Sequence, residues 1–136
     1  MKYMILAYGS QQDYDSLAEK DGAQPAASAE ELAAISEFLT KFTGDLAASG
    51  ELVDTQGLTA PVLARRVQLR DGVQVVTDGP FAETEEVNAG YWIVDCASFD
   101  RATEIAVRLN QAPGRSADAG VVIRPVMGSE HDTDDI

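Results

Sequence analysis

Apolar positions fall into short alternating runs and two longer helical stripes. The run 2–8 (KYMILAY) is apolar at most positions and carries β-favouring Tyr and Ile, so it is read as a first strand. Residues 9–28 (GSQQDYDSLAEKDGAQPAAS) are polar and hold Gly, Pro and Ser. They are read as a long loop with one short helical turn near 14–19. Ser28 then opens a helix over 29–49. Glu31 completes a capping box three residues on, and Leu32, Ile35, Phe38, Leu39, Phe42 and Leu46 recur at helical spacing. Gly50 is the stop signal.

Residues 51–60 (ELVDTQGLTA) are read as an extended connector or a short strand. Residues 62–70 (VLARRVQLR) and 73–77 (VQVVT) flank Asp71-Gly72, a turn pair that tolerates positive φ, and so form a hairpin. A loop over 78–86 follows, and 89–96 (AGYWIVDC) is a strand. Ser98 caps a second helix, about 99–110, with Ala102, Ile105, Ala106 and Leu109 inward. Gly114–Gly120 is a loop, and 121–126 (VVIRPV) is the last strand, with Pro125 marking its end or an edge. From Gly128 the chain carries four acidic residues and no Lys or Arg, and reads as a disordered tail outside a domain of residues 1–127.

The order is β-α-β-β-β-α-β, an α+β fold of the ferredoxin-like kind with both helices on one face of the sheet. In strand 89–96, Tyr91 and Ile93 oppose Trp92, Val94 and Cys96. In strand 2–8, Tyr3, Ile5 and Ala7 oppose Met4, Leu6 and Tyr8. Both sheet faces are therefore apolar, and two helices cover only one. The second face calls for another cover. A twofold partner sheet supplies it in a homodimer packed through the sheet faces; the alternative cover is the 9–28 loop.

Composition narrows the function classes. The chain has 136 residues, 45% of them hydrophobic, which suits one domain. No apolar run approaches the ~18 residues of a membrane span, and the N-terminus lacks a signal-peptide cleavage pattern. One cysteine, Cys96, excludes an internal disulfide and suits a reducing cytoplasm. The net charge of −13 opposes binding to nucleic acid or to an anionic membrane.

The stretch Thr77-Asp78-Gly79-Pro80-Phe81-Ala82-Glu83-Thr84-Glu85-Glu86 places a turn before three carboxylates. Asp78 reads either as a turn residue accepting backbone N–H bonds or as a general base or ligand anchor at a strand end. Glu83 and Glu85 share a side in an extended segment. They form a solvated acidic loop or, less simply, a divalent-cation site, with no histidine nearby to complete a transition-metal set. Arg65 shares a face with Leu63, Val67 and Leu69 and calls for a carboxylate partner, Asp78 or Glu83, or for an anionic ligand. Tyr8 ends its strand, where a hydroxyl is useful at a cleft mouth. No phosphate loop, nucleophile elbow, Cys-x-x-Cys or His-Glu-x-x-His pattern occurs, and no cofactor or metal is expected.

The same stretch, with Val87 and Gly90-Tyr91-Trp92 after it, resembles the signature of the DGPF group of YCII-related proteins. The opening Met1–Leu6 and the closing Val122–Val126 resemble the group as well. The resemblance spans about residues 1–127 and implies a dimeric α/β-barrel of ferredoxin-like units. Some members resemble companions of sigma factors in gene neighbourhoods, and others have been proposed as enzymes by fold analogy. One departure matters: shorter relatives carry a histidine near the first helix that is suggested to pair with an aspartate. Here the one histidine, His131, lies in the tail, so that pairing does not carry over. The expectation is a small-molecule pocket near the Asp78–Phe81 loop. Asp78 would be the acid/base group there, Tyr8, Arg65 and Glu83 would bind the ligand, and Gly79, Pro80 and Phe81 would be structural. The alternative is a non-catalytic interaction module in sigma-factor-type regulation.

Overall fold

The computed structural model describes residues 1–17, 28–82, 84–114 and 120–128. Its elements run β1 (Lys2–Gly9), α1 (Gln11–Leu17), α2 (Ala29–Ser49), β2 (Leu52–Gly57), a 3₁₀ turn (Pro61–Leu63), β3 (Arg65–Arg70), β4 (Val73–Asp78), β5 (Val87–Asp95), α3 (Phe99–Leu109) and β6 (Val121–Pro125).

Four strands form one sheet in the order β2-β5-β1-β6, with every neighbouring pair antiparallel. This arrangement is consistent with a ferredoxin-like α+β fold. The segment 51–60, an extended connector or a short strand by its sequence, supplies the sheet's edge strand β2. Two expectations change. The hairpin β3–β4 instead forms a sheet of its own. The reason is local: Pro61–Leu63 coils into a 3₁₀ turn after β2, and this breaks the run before Arg65.

The second change concerns the loop after β1, which folds into α1. Ser10 and Asp13 cap it reciprocally. The Ser10 backbone N–H donates to Asp13 Oδ2 at 2.9 Å, and the Asp13 N–H donates to Ser10 Oγ at 3.1 Å. Ser10-x-x-Asp13 was the legible signal for this helix, a capping box with Asp in place of Glu. Residues 18–27 and the tail from 129, with His131, lie outside the described residues.

Helices α2 and α3 begin at their expected caps. Ser28 Oγ accepts from the Glu31 N–H, and Ser98 Oγ accepts from the Arg101 N–H. Gly50 closes α2 at φ +81°, a left-handed geometry that suits glycine. Both helices pack on the face that carries Tyr3, Ile5 and Val94. The core there joins Phe42 and Leu46 of α2 to Ala102, Ile105, Ala106 and Leu109 of α3. Phe42 and Ile5 are fully buried. Each such side chain stabilises the fold by roughly 1.5–3 kcal/mol.

Burial along α2 is graded. Leu32 is exposed, Ile35, Phe38 and Leu39 are half-buried, and Phe42 and Leu46 are closed off. The C-terminal half packs on the sheet, whereas Ile35 and Leu39 border open space. Trp92 is tied to α2 by its indole N–H, which donates to Thr43 Oγ1 at 3.2 Å, and by an edge-on contact with Phe42 at 5.6 Å.

Candidate functional site

The Asp-Gly-Pro-Phe stretch builds the base of the β3–β4 hairpin. Asp78 is the last residue of β4 and stands opposite Arg65, with Arg65 Nε 3.2 Å from Asp78 Oδ1. Gly79 donates its N–H to the Ala64 carbonyl at 2.9 Å. A Cβ on Gly79 would lie 1.8 Å from the Pro61 carbonyl oxygen, so only glycine lets this strand end cross the 3₁₀ turn. Beyond Pro80, the Phe81 ring lies 4.0 Å beneath the Arg66 guanidinium, and Arg66 also reaches Glu85 at 3.4 Å.

The motif thus closes the base of the hairpin onto the 3₁₀ turn that precedes it. Arg65 and Asp78 are largely solvent-exposed, at 76% and 79%. Their pairing is the carboxylate contact that an arginine on this face calls for. Glu83 lies outside the described residues. Among the described residues no group of three His, Cys, Asp or Glu side chains is placed to hold a metal ion.

A cavity of about 440 Å³ lies elsewhere, on the helix side of the sheet. Its floor is Ala7 of β1, Thr55 of β2 and Gly90 and Trp92 of β5. Its walls are Ile35 and Leu39 of α2, Asp13, Tyr14 and Ser16 of α1, and Ala112–Gly114 after α3. Tyr8 also lines it, whereas Arg65 and Asp78 do not. Of the residues expected from sequence, the structure brings the ligand-binding candidate Tyr8 to the cavity and places Arg65, a second such candidate, and Asp78, the expected acid/base group, on the hairpin.

The lining is mainly apolar with a few polar groups, the usual composition of a small-molecule site. Asp13 Oδ2 is committed to capping α1, while Oδ1 makes no hydrogen bond among the described residues. Tyr14 donates its hydroxyl to the Leu58 carbonyl at 2.7 Å, and burial raises its pKa. The Tyr8 hydroxyl has no hydrogen-bond partner among the described residues. Gly90 keeps the floor flat: a Cβ there would lie 2.8 Å from the Gln56 carbonyl oxygen. Asp13 and Tyr14 lie in the polar 9–28 segment, where no apolar periodicity points to a cavity wall.

Cys96 is buried, its Sγ 3.4 Å from the Ser98 carbonyl, and burial pushes its thiol pKa up. It is therefore a poor nucleophile.

The model of the YCII-related domain matches residues 1–127, nearly the whole chain. The chain belongs to the YCII-related family. It is also similar to an uncharacterized protein of Rhizobium meliloti (strain 1021), with 38% identity over 64 residues. That match covers 47% of this chain and 52% of the other protein, so the chain spans about half the length of this curated relative. Among the described residues, no helix of this YCII-related chain is long and apolar enough to cross a membrane.

Proposed function

We propose that the chain binds a small, largely apolar molecule in the cavity between α1, α2 and the sheet. The observation that carries this reading is the cavity itself: about 440 Å³, apolar on most sides, with Asp13 and Tyr8 among its lining residues. Such a site suits a ligand with an apolar body and a donor group for Asp13. Any proton transfer in the cavity would rest on Asp13. The Asp78 loop has a different part in this reading, holding the hairpin in place.

The protein carries its own reporter, since Trp92 is its one tryptophan and lines the cavity. The test is a titration of small apolar and aromatic metabolites, read by Trp92 fluorescence and thermal shift. It uses wild type, Ile35→Phe (which fills the cavity) and Asp78→Ala. Ligands that shift the wild type should lose their effect in Ile35→Phe and keep it in Asp78→Ala. Hits that survive in Ile35→Phe but vanish in Asp78→Ala would move the site to the hairpin base. A complete lack of hits would sink the reading.

A second reading concerns assembly. The sheet face opposite the helices carries Met4 and Leu6 of β1, Tyr91 and Ile93 of β5 and Val122 of β6. The described part of the segment after β1 lines the cavity on the other side, so it does not cover this face. We propose that two copies pair through it, which removes an apolar face from water. The regulatory alternative rests on the family resemblance alone.

A further inference from the structure

The cavity floor holds two glycines of the central strand pairing, and the fold explains only one of them. Glycine inside a strand forgoes packing and costs backbone entropy. It marks a bend, a positive φ or a close approach of other atoms. Gly90 of β5 has such a reason, since a Cβ there would lie 2.8 Å from the Gln56 carbonyl oxygen. Gly57 of β2 has none within the described chain. Its φ is not positive, it pairs in register with Gly90, and a Cβ on it would meet nothing within 4 Å among the described residues. The register shift in β2 falls earlier, between Leu52 and Asp54. Position 57 is thus open to a side chain as far as the fold is concerned, yet it lines the cavity.

The registers show what the missing side chain leaves behind. Gly57, Gly90 and Ala7 stand side by side on β2, β5 and β1, and cross-strand partners point to the same face. That face is the helix side, because Ala7 shares it with the buried Tyr3 and Ile5. Neighbouring strands lie about 4.8 Å apart, so three of them offer about 10 Å of peptide surface, interrupted by one methyl group. The next row on this face is Thr55, Trp92 and Ile5, and the Trp92 indole is held toward α2 by its bond to Thr43. Ile35 and Leu39 of α2 line the cavity from across the floor. The space is a slot, with bare peptide planes below, aliphatic side chains above and an indole at one end.

A slot of that shape selects flatness. Carbon atoms in contact sit about 3.5–4.0 Å apart, so a planar ring meets the whole floor at once. A puckered ring of the same size lifts half of its carbons away and pushes others toward Ile35 and Leu39. An aromatic edge or face is also what an indole packs against best.

We infer that the cavity takes a planar aromatic ligand of one or two fused rings, laid flat on the floor of Gly57, Gly90 and Ala7, and that Gly57 is its specificity-determining residue. The inference rests on the cavity reading above and adds the class of ligand. The glycine at 57 then has its reason in the ligand, because a Cβ there would rise into the plane that the ring occupies.

The test is isothermal titration calorimetry with two probes of one carbon skeleton, planar 2-naphthol and its hydrogenated counterpart decahydro-2-naphthol. Each is titrated into wild type and into Gly57→Val, with urea unfolding of both proteins alongside. Wild type should bind 2-naphthol more tightly than decahydro-2-naphthol by about tenfold or more. Gly57→Val should weaken 2-naphthol binding by about tenfold or more, the scale on which an apolar pocket responds to a methylene too many. Its urea midpoint should equal or exceed that of wild type, because valine suits a strand better than glycine.

Equal affinity of wild type for the two probes would overturn the inference and leave the cavity reading standing. So would a Gly57→Val protein that binds 2-naphthol as wild type does. A Gly57→Val protein that unfolds at much lower urea would show that the fold itself needs glycine at 57, and the inference would fall with its premise. If neither probe binds wild type, the inference falls. The cavity reading falls with it only when the wider metabolite titration is blank as well.

Discussion

Strands β1 and β3 carry similar alternation but meet opposite fates. In β1, Tyr3, Ile5 and Ala7 are buried at 1%, 0% and 6% exposure. In β3, Val67 and Leu69 stay 64% and 66% exposed, and across the hairpin Val76 stays at 60%. The difference is the cover. β1 is one of the two inner strands of a sheet roofed by two helices, whereas β3 has one partner strand and no roof. A lone two-stranded hairpin is marginal in water. The Asp78–Phe81 stretch therefore takes on the task of fixing the arm from its base. Alternation reports that a strand has an apolar face; it does not report what that face meets.

The comparison breaks hardest in the core. Phe42→Ala should cost about 3–5 kcal/mol in urea unfolding, because it opens a cavity between α2, Trp92 and the sheet. Val76→Ala, on the arm, should change the stability of the monomer by less than about 0.5 kcal/mol. A large cost for Val76→Ala at concentrations where the protein is monomeric would mean that the arm is packed within its own chain.

The next effect is at the arm's base. Gly79→Ala drives a Cβ against the Pro61 carbonyl and should cost about 1–3 kcal/mol. Hydrogen exchange should locate the loss, with β3 and β4 amides less protected and β1 and β5 unchanged. A uniform loss across the sheet would contradict a separate, clasped arm.

Acid should act on the body through its ion pairs. Hydrogen bonds from Arg101 hold Glu51 below the usual carboxylate range, as those from Arg108 and Lys41 do for Asp45 and the N-terminal amine does for Asp95. A carboxylate whose folded pKa is depressed contributes stability that is complete above its unfolded value, near 4. That stability is lost as the pH falls through the folded value. The Arg101–Glu51 contact joins α3 to the start of β2 with two bonds of 2.9 Å. Arg101→Leu should therefore lower Tm at pH 7 and narrow its gap to wild type below about pH 4. An equal gap at both pH values would show that Arg101 acts through packing instead.

The smallest effect belongs to the pair that drew most notice in the sequence. Asp78→Ala removes an exposed Arg65 contact, and such pairs contribute about 0–1 kcal/mol. A larger loss in thermal unfolding would mean that the Asp78 side chain supports the turn beyond its contact with Arg65.

The sequence alone determined both helices with their caps, the Asp71-Gly72 hairpin, the strands β1, β5 and β6, and which residues of β1 and β5 share a face. These are decided by local rules: capping side chains, helical spacing and the two-residue alternation of strands. The family signature was legible for the same reason, being contiguous. Tertiary structure decided the rest. It made 52–57 a sheet strand and left 65–78 an arm, because strand pairing is a choice among distant partners. It turned the Gly79 requirement into a specific collision with Pro61. It gathered Asp13, Tyr14, Ile35 and Trp92 around one cavity from three separate segments, and it set Asp54 and Arg124 in one row across the sheet. No spacing in the chain encodes either grouping; both exist only once the strands have chosen their neighbours.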